Sequence, residues 1–173
     1  LLGTQAVLTG IRPEIAHNTA NVVRFVEEMR ALLLLNHPHI VQIFDRGTQG
    51  QLAYMDMELV KGDAVRTIMR RNGPIAERRA LEIVWQMTLA LDYAAQKRII
   101  HGDVKPSNFL LDETGRAKLC DFGLAVLRGP YAGGTMGRRE TSGRKGTAAY
   151  AAPELFDSLS PPTIQSDIYS MGT

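Results

Sequence analysis

Three clusters of small and polar residues follow one another in the second half of the chain: HGDVKPSN at His101 to Asn108, DFG at Asp121 to Gly123 and APE at Ala152 to Glu154. Between and before them lie only short apolar pieces, Ile99 to Ile100, Phe109 to Leu111 and Ala117 to Cys120, joined by loops that hold nearly all of the cluster residues. A fold that accommodates this texture must present several loops from one rigid scaffold, which is the usual arrangement for residues that do chemistry.

The upstream half is more regular. From Thr19 the apolar residues Val22, Val23, Phe25, Val26, Met29, Leu32 and Leu33 recur at three- and four-residue steps, which predicts an amphipathic helix ending near Asn36, before His37 and Pro38. Ile40 to Phe44 and Leu52 to Leu59 read as the two strands of a hairpin around the turn signal Arg46 to Gln51. A second long helix is expected from about Ala76 to Lys97, with Ala80, Ile83, Val84, Met87, Leu91 and Ala94 on its buried face, and with Gly73 and Pro74 punctuating its start. Gly129 to Gly146 carries six glycines and little to bury, so a mobile loop is expected there.

With 173 residues, 22% of them charged and 45% hydrophobic, the chain can bury one core. A formal net charge of +2 is too mild to point to nucleic acid or an acidic membrane as partner. Cys120 is the single cysteine, which leaves no intrachain disulfide or multi-thiolate metal site and agrees with a reducing, cytoplasmic location. The longest uncharged apolar run, Ala31 to Leu35, is far short of the roughly 20 residues of a membrane-spanning helix, so no membrane contact is expected from this piece. Because the chain opens on LLGTQAV and stops at SDIYSMGT, both ends read as cuts, and a membrane anchor would lie outside them.

The clusters contain what phosphoryl transfer needs: a group to orient the attacking hydroxyl and cations to neutralise charge on the triphosphate. Asp103 is the candidate for the hydroxyl, Lys105 for a point charge on the transferring phosphate, and Asn108 with Asp121 for a divalent ion. Mg²⁺ takes one or two protein oxygens plus phosphate and water, so an aspartate and an asparagine on neighbouring loops suit it. Taken singly, such residues are more often turn or cap residues; three clusters in this order argue against that. His17, His37 and His39 have no metal-ligand spacing and read as surface or packing residues, and Cys120 as a buried, inert thiol.

With KPSN after Asp103 and GTAAYAAPE at Gly146 to Glu154, the chain resembles the protein kinase family, in its serine/threonine branch. NHPHIVQIFD at Asn36 to Asp45, LDYAAQKRIIHGDVKPSN at Leu91 to Asn108 and QSDIYSMG at Gln165 to Gly172 bring it nearest to bacterial, Hanks-type members. The resemblance implies a partial two-lobed α+β fold. Residues 1–60 would form the end of the N-terminal β-lobe, with its helix and the hinge, and 61–173 the first half of the mainly helical C-terminal lobe. It further implies ATP and Mg²⁺ as ligands and a protein Ser/Thr hydroxyl as acceptor, with no nucleic-acid partner.

Residue by residue, the resemblance assigns Val7 to the roof of the adenine, Met57 to the gatekeeper position, Glu58 to Val60 to the hinge and Leu110 to the floor of the base. Glu28 would pair with an ATP-binding lysine; Leu32, Ile43, His101 and Phe122 would stack as a spine; Asp167 would brace the catalytic loop; Thr147 would touch Asp103 and Lys105, in keeping with a Ser/Thr acceptor, and Glu154 would close the activation segment. Two departures stand out. No lysine precedes Lys61, and Thr9 falls at the lysine position, which leaves open a pseudokinase that binds nucleotide or partners without turnover. Gly102 replaces an arginine of many regulated members, so a phosphate on Thr135, Thr141 or Ser142 would lack a guanidinium partner in the catalytic loop. Small-molecule phosphotransferases share an HGD loop but not a long segment ending in APE. The fragment by itself is expected to be inactive, with apolar surface exposed where the rest of the fold would pack.

Overall fold

A computed structural model describes residues 6–10, 32–49, 52–122, 126–127, 148–156 and 160–173. The helix expected from Thr19 and the glycine-rich loop Gly129 to Gly146 lie outside these residues, apart from the helix end at Leu32.

Three strands form the first sheet in the order β1 (Ala6–Gly10), β3 (Leu52–Glu58), β2 (Ile43–Gln49), all antiparallel. The expected hairpin is present, but its first strand starts at Ile43 and runs to Gln49, through what reads in sequence as a turn. The reason lies at Gly47, which pairs with Tyr54; a Cβ there would come within 2.5 Å of the Tyr54 hydroxyl, so the tyrosine occupies the space that the glycine vacates. Glycine here marks a close approach within a ladder rather than a reversal.

The second sheet, β4 (Gly62–Ala64), β6 (Phe109–Asp112) and β7 (Ala117–Leu119), follows the short connection at 59–61. Gly62 is packed against the Leu111 carbonyl with no room for a Cβ. Ile99–Ile100 (β5) pairs with Val126–Leu127 (β8). The segment before β2 is sewn onto β7: Leu119 N–H donates to the His39 carbonyl at 2.8 Å and Val41 N–H to the Leu119 carbonyl at 2.9 Å.

Helix α1 (Val65–Asn72) is absent from the sequence reading. Its apolar residues Val65, Ile68 and Met69 do recur at helical spacing, but the element is only 8 residues long, below the window over which such a pattern separates helix from loop. Gly73, read as punctuation before the next helix, ends this one at φ +83°, its N–H donating to the Met69 carbonyl. Helix α2 (Glu77–Gln96) buries Ile83, Met87, Ala90 and Ala94, spaced by four, three and four residues. Val84, expected on that face, is largely exposed, and Ala90 takes its place. Leu32, Leu35, Ile40, Val104 and Leu119 complete the core around α2.

His37 and His39 pack as expected. The His37 ring stacks on Tyr93 at 5.1 Å, and His39 Nδ1 lies 2.9 Å from the Ala117 carbonyl. Helix α3 (Ile164–Met171) begins with a capping box, Ser166 N–H donating to Thr163 Oγ1 at 3.2 Å and Thr163 N–H to Ser166 Oγ at 2.7 Å. Leu81, Trp85 and Ile168 are left more than half exposed on α2 and α3. Among the described residues no helix is long and apolar enough to cross a membrane.

Met87 is fully buried at the centre of α2. Met87→Ala should therefore cost about 2–5 kcal/mol, measured as a shift of the urea unfolding midpoint with unchanged slope.

Candidate active site

Phosphate chemistry requires charged groups to be held still, and here the backbone of the HGD loop is held by a single carboxylate. Asp167, one residue beyond the α3 capping box, accepts His101 N–H at 2.9 Å and Gly102 N–H at 2.8 Å. Two consecutive N–H groups converge on one anion because the chain turns left-handed at Gly102, with φ +75°. That conformation is strained for any residue with a Cβ, which gives the glycine at this position a local reason. Asp167 is buried, and burial lifts its carboxyl above the usual aspartate range, against the pull of His101 and the two N–H donors.

His101 joins three parts of the site. Its ring is wholly buried; Nδ1 accepts Asp103 N–H at 3.2 Å, so the ring proton is on Nε2, which donates to the Cys120 carbonyl at 3.1 Å. The ring also packs on Phe122, centroids 4.6 Å apart. The HGD loop is thus tied to the DFG segment through a side chain with a fixed tautomer.

Asp103, Lys105 and Asn108 are brought into direct contact. Lys105 Nζ pairs with Asp103 Oδ2, and Asn108 Nδ2 donates to the Asp103 carbonyl at 2.8 Å. With its nitrogen anchored, the Asn108 amide turns its oxygen the other way, where Ser107 Oγ lies 3.5 Å off. Asn108 ends a 3-10 turn, Pro106–Asn108, directly before β6, and its carbonyl accepts Cys120 N–H at 2.9 Å, which ties it to the residue before Asp121.

Asp121 has a positive φ of +62°. This turn points neighbouring side chains apart: Phe122 is buried while Asp121 stays exposed. Holding a non-glycine residue there costs on the order of 1 kcal/mol, and Asp is among the residues that tolerate it best. Burial and the adjacent Asp121 push the Cys120 thiol up to about 12, so it is neutral at physiological pH.

The remaining expected positions are spread along the sheets. Val7 lies opposite Met57, and Thr9 opposite Met55, in the β1–β3 ladder. Met57 packs against the core, Leu110 faces Lys118 across β6 and β7, and Val60 follows β3 in the connection to β4. Glu154 is exposed in the 3-10 turn Pro153–Phe156, with no ion pair among the described residues. Glu28 and Thr147 lie outside the described residues. Leu32, Ile43 and Phe122 belong to one buried cluster.

Two residues were missed by the sequence reading. Lys118 Nζ lies 2.9 Å from the Glu58 carboxylate, and Gln42 N–H donates to Glu58 Oε2 at 3.2 Å. Lys118 and Glu58 are 60 residues apart, a separation at which no local pattern signals a pair.

A sequence model of the family described as protein kinase domain matches residues 11–173. The serine/threonine-protein kinase PknA of Mycobacterium tuberculosis is 35% identical over 180 residues, covering 99% of this chain and 39% of PknA. PknB of Mycolicibacterium smegmatis and PknB of Mycobacterium leprae, also serine/threonine-protein kinases, are each 36% identical over 166 residues, covering 94% of this chain and 26% of theirs. The chain therefore spans about two fifths or less of the length of these curated relatives.

Asp167→Asn keeps the shape but turns an NH₂ toward one of the two backbone donors, so a loss of about 1–3 kcal/mol in urea unfolding is expected, together with faster amide exchange at His101 and Gly102. For Cys120, a thiol moved from an ordinary 9.0 to about 12 holds far less thiolate at pH 8. Its alkylation by iodoacetamide should accordingly be on the order of 10²- to 10³-fold slower in the folded protein than in urea.

Proposed function

The chain belongs to the protein kinase family, and on that premise we propose that it forms part of an ATP-dependent serine/threonine kinase that phosphorylates a protein substrate. The observation that carries this reading is the tethering of Asp103. Its backbone is fixed through His101 and its Oδ2 is occupied by Lys105, which leaves Oδ1 to orient a substrate hydroxyl. In the transfer the hydroxyl oxygen bonds to the γ-phosphorus, the bond from that phosphorus to the ADP oxygen breaks, and the hydroxyl proton passes to Asp103. Lys105 is within reach of the phosphoryl oxygens as their charge grows.

Among the described residues no group of three or more His, Cys, Asp or Glu could hold a metal ion, so a cage built from protein carboxylates is not the expected mode. The Asn108 amide oxygen and the exposed Asp121 carboxylate form a neutral and a charged hard donor on adjacent segments, a set that fits Mg²⁺ with its remaining positions left to phosphate and water. When bound, Mg²⁺ would neutralise charge on the β- and γ-phosphates. For the base we assign Val7, Met57, Leu110 and the backbone of Glu58 and Val60; the Val60 N–H has no partner among the described residues. A requirement for ATP and a lone, neutral cysteine fit work in the cytoplasm.

A second reading, a pseudokinase, is favoured by one observation: Thr9 occupies β1 opposite Met55, at the lysine position of the family, and no lysine precedes Lys61. Loss of one preorganised donor costs on the order of 3 kcal/mol, or about 10²- to 10³-fold in rate, which describes a slow enzyme as readily as a silent one. Mg²⁺-ATP transfer by the intact protein to a Ser/Thr substrate separates the two readings. Asp103→Asn should lower the rate by roughly 10²- to 10⁴-fold, and equal residual transfer in both proteins would establish the pseudokinase.

A further inference from the structure

Gln42 and Glu58 face each other where the β2–β3 ladder opens toward the hinge. In a regular antiparallel pair, two such residues exchange both N–H···O=C bonds. Here only one is made between backbones, Glu58 N–H donating to the Gln42 carbonyl at 2.8 Å. The second donor, Gln42 N–H, goes to Glu58 Oε2 at 3.2 Å. The side-chain carboxylate has taken the place of the residue's own carbonyl.

That substitution requires the carboxylate to stay folded back on its strand. Lys118 Nζ holds it, 2.9 Å from both Oε1 and Oε2, in a pair whose lysine side chain is 13% exposed. Lys118 is itself fixed, since β7 pairs with β6 through Leu110 and its next residue, Leu119, bonds to His39 and Val41. Without the lysine, the carboxylate would gain more from water than from one N–H, and Gln42 N–H would close on the Glu58 carbonyl, extending the ladder by one bond.

We propose that Lys118 is a positioning residue of the adenine subsite: by holding the Glu58 carboxylate on Gln42 N–H, it keeps the Glu58 carbonyl available to the exocyclic amino group of the base. The proposal rests on the nucleotide-binding reading above. It makes base selectivity, rather than nucleotide affinity in general, the property that Lys118 controls.

The test compares binding of ATP with that of purine riboside triphosphate, which lacks the exocyclic amine, to the intact protein with Mg²⁺ by titration calorimetry. In the wild type ATP should bind more tightly by roughly tenfold, the value of one well-placed hydrogen bond. Lys118→Met should reduce that ratio to about one by weakening ATP alone, and Lys118→Arg should restore it. Equal weakening of both nucleotides, or a ratio unchanged from wild type, overturns the proposal. Wild-type protein that binds neither nucleotide overturns the nucleotide reading itself and this proposal with it. Thermal unfolding checks that Lys118→Met is folded; should it not be, Glu58→Ala, which also sends Gln42 N–H back to the carbonyl, must show the same loss of ratio.

Discussion

One buried carboxylate fixes the frame on which the site stands. Asp167 reaches back across 65 and 66 residues to two consecutive backbone donors, which offset the cost of its burial. The arrangement works only because Gly102 can turn left-handed and because the Thr163–Ser166 box starts α3 in register with the loop. From those two N–H groups the order passes outward through His101 to Asp103 on one side and to Cys120 and Phe122 on the other. Asp103, Lys105 and Asn108 bond to one another, and the network that runs through His101 and Asp167 fixes where that cluster sits.

The same logic explains why Asp121 is left in an uncommon backbone conformation. Phe122 is buried against His101 while Asp121 is exposed, and this segment makes that change of direction through a left-handed residue rather than through the alternation of an extended strand. The local cost, on the order of 1 kcal/mol, is offset by the burial of a phenylalanine, worth roughly 1.5–3 kcal/mol. Packing decides the backbone here, and the carboxylate is exposed as a consequence.

The residues of the HGD, DFG and APE clusters were legible in the sequence because their spacing is local. So was α2, a helix of 20 residues whose buried positions recur from Ile83 to Ala94. What escaped was of two kinds. Helix α1 is too short for its Val65, Ile68, Met69 spacing to stand out, and Gly47 reads as a turn when only Tyr54, on the other strand, shows that it is not. The Glu58–Lys118 pair and the Asp167 bonds depend on contacts between distant segments, for which a linear pattern holds no information until the fold brings them together. Lys118 in particular looks like any exposed strand lysine.

The stitching of residues 39–41 onto β7 has a consequence for how the chain is made. His39 reaches the Ala117 carbonyl across 78 residues. At a synthesis rate of about 5–20 residues per second, that partner emerges some 4–16 seconds later. Until then residues 39–41 lack the strand they bond to, and Ile40 and Val41, both buried in the finished fold, stay uncovered on the nascent chain. The portion that precedes β4 cannot be completed as an independent unit during translation; its last connection waits for the HGD loop and the β6–β7 hairpin behind it.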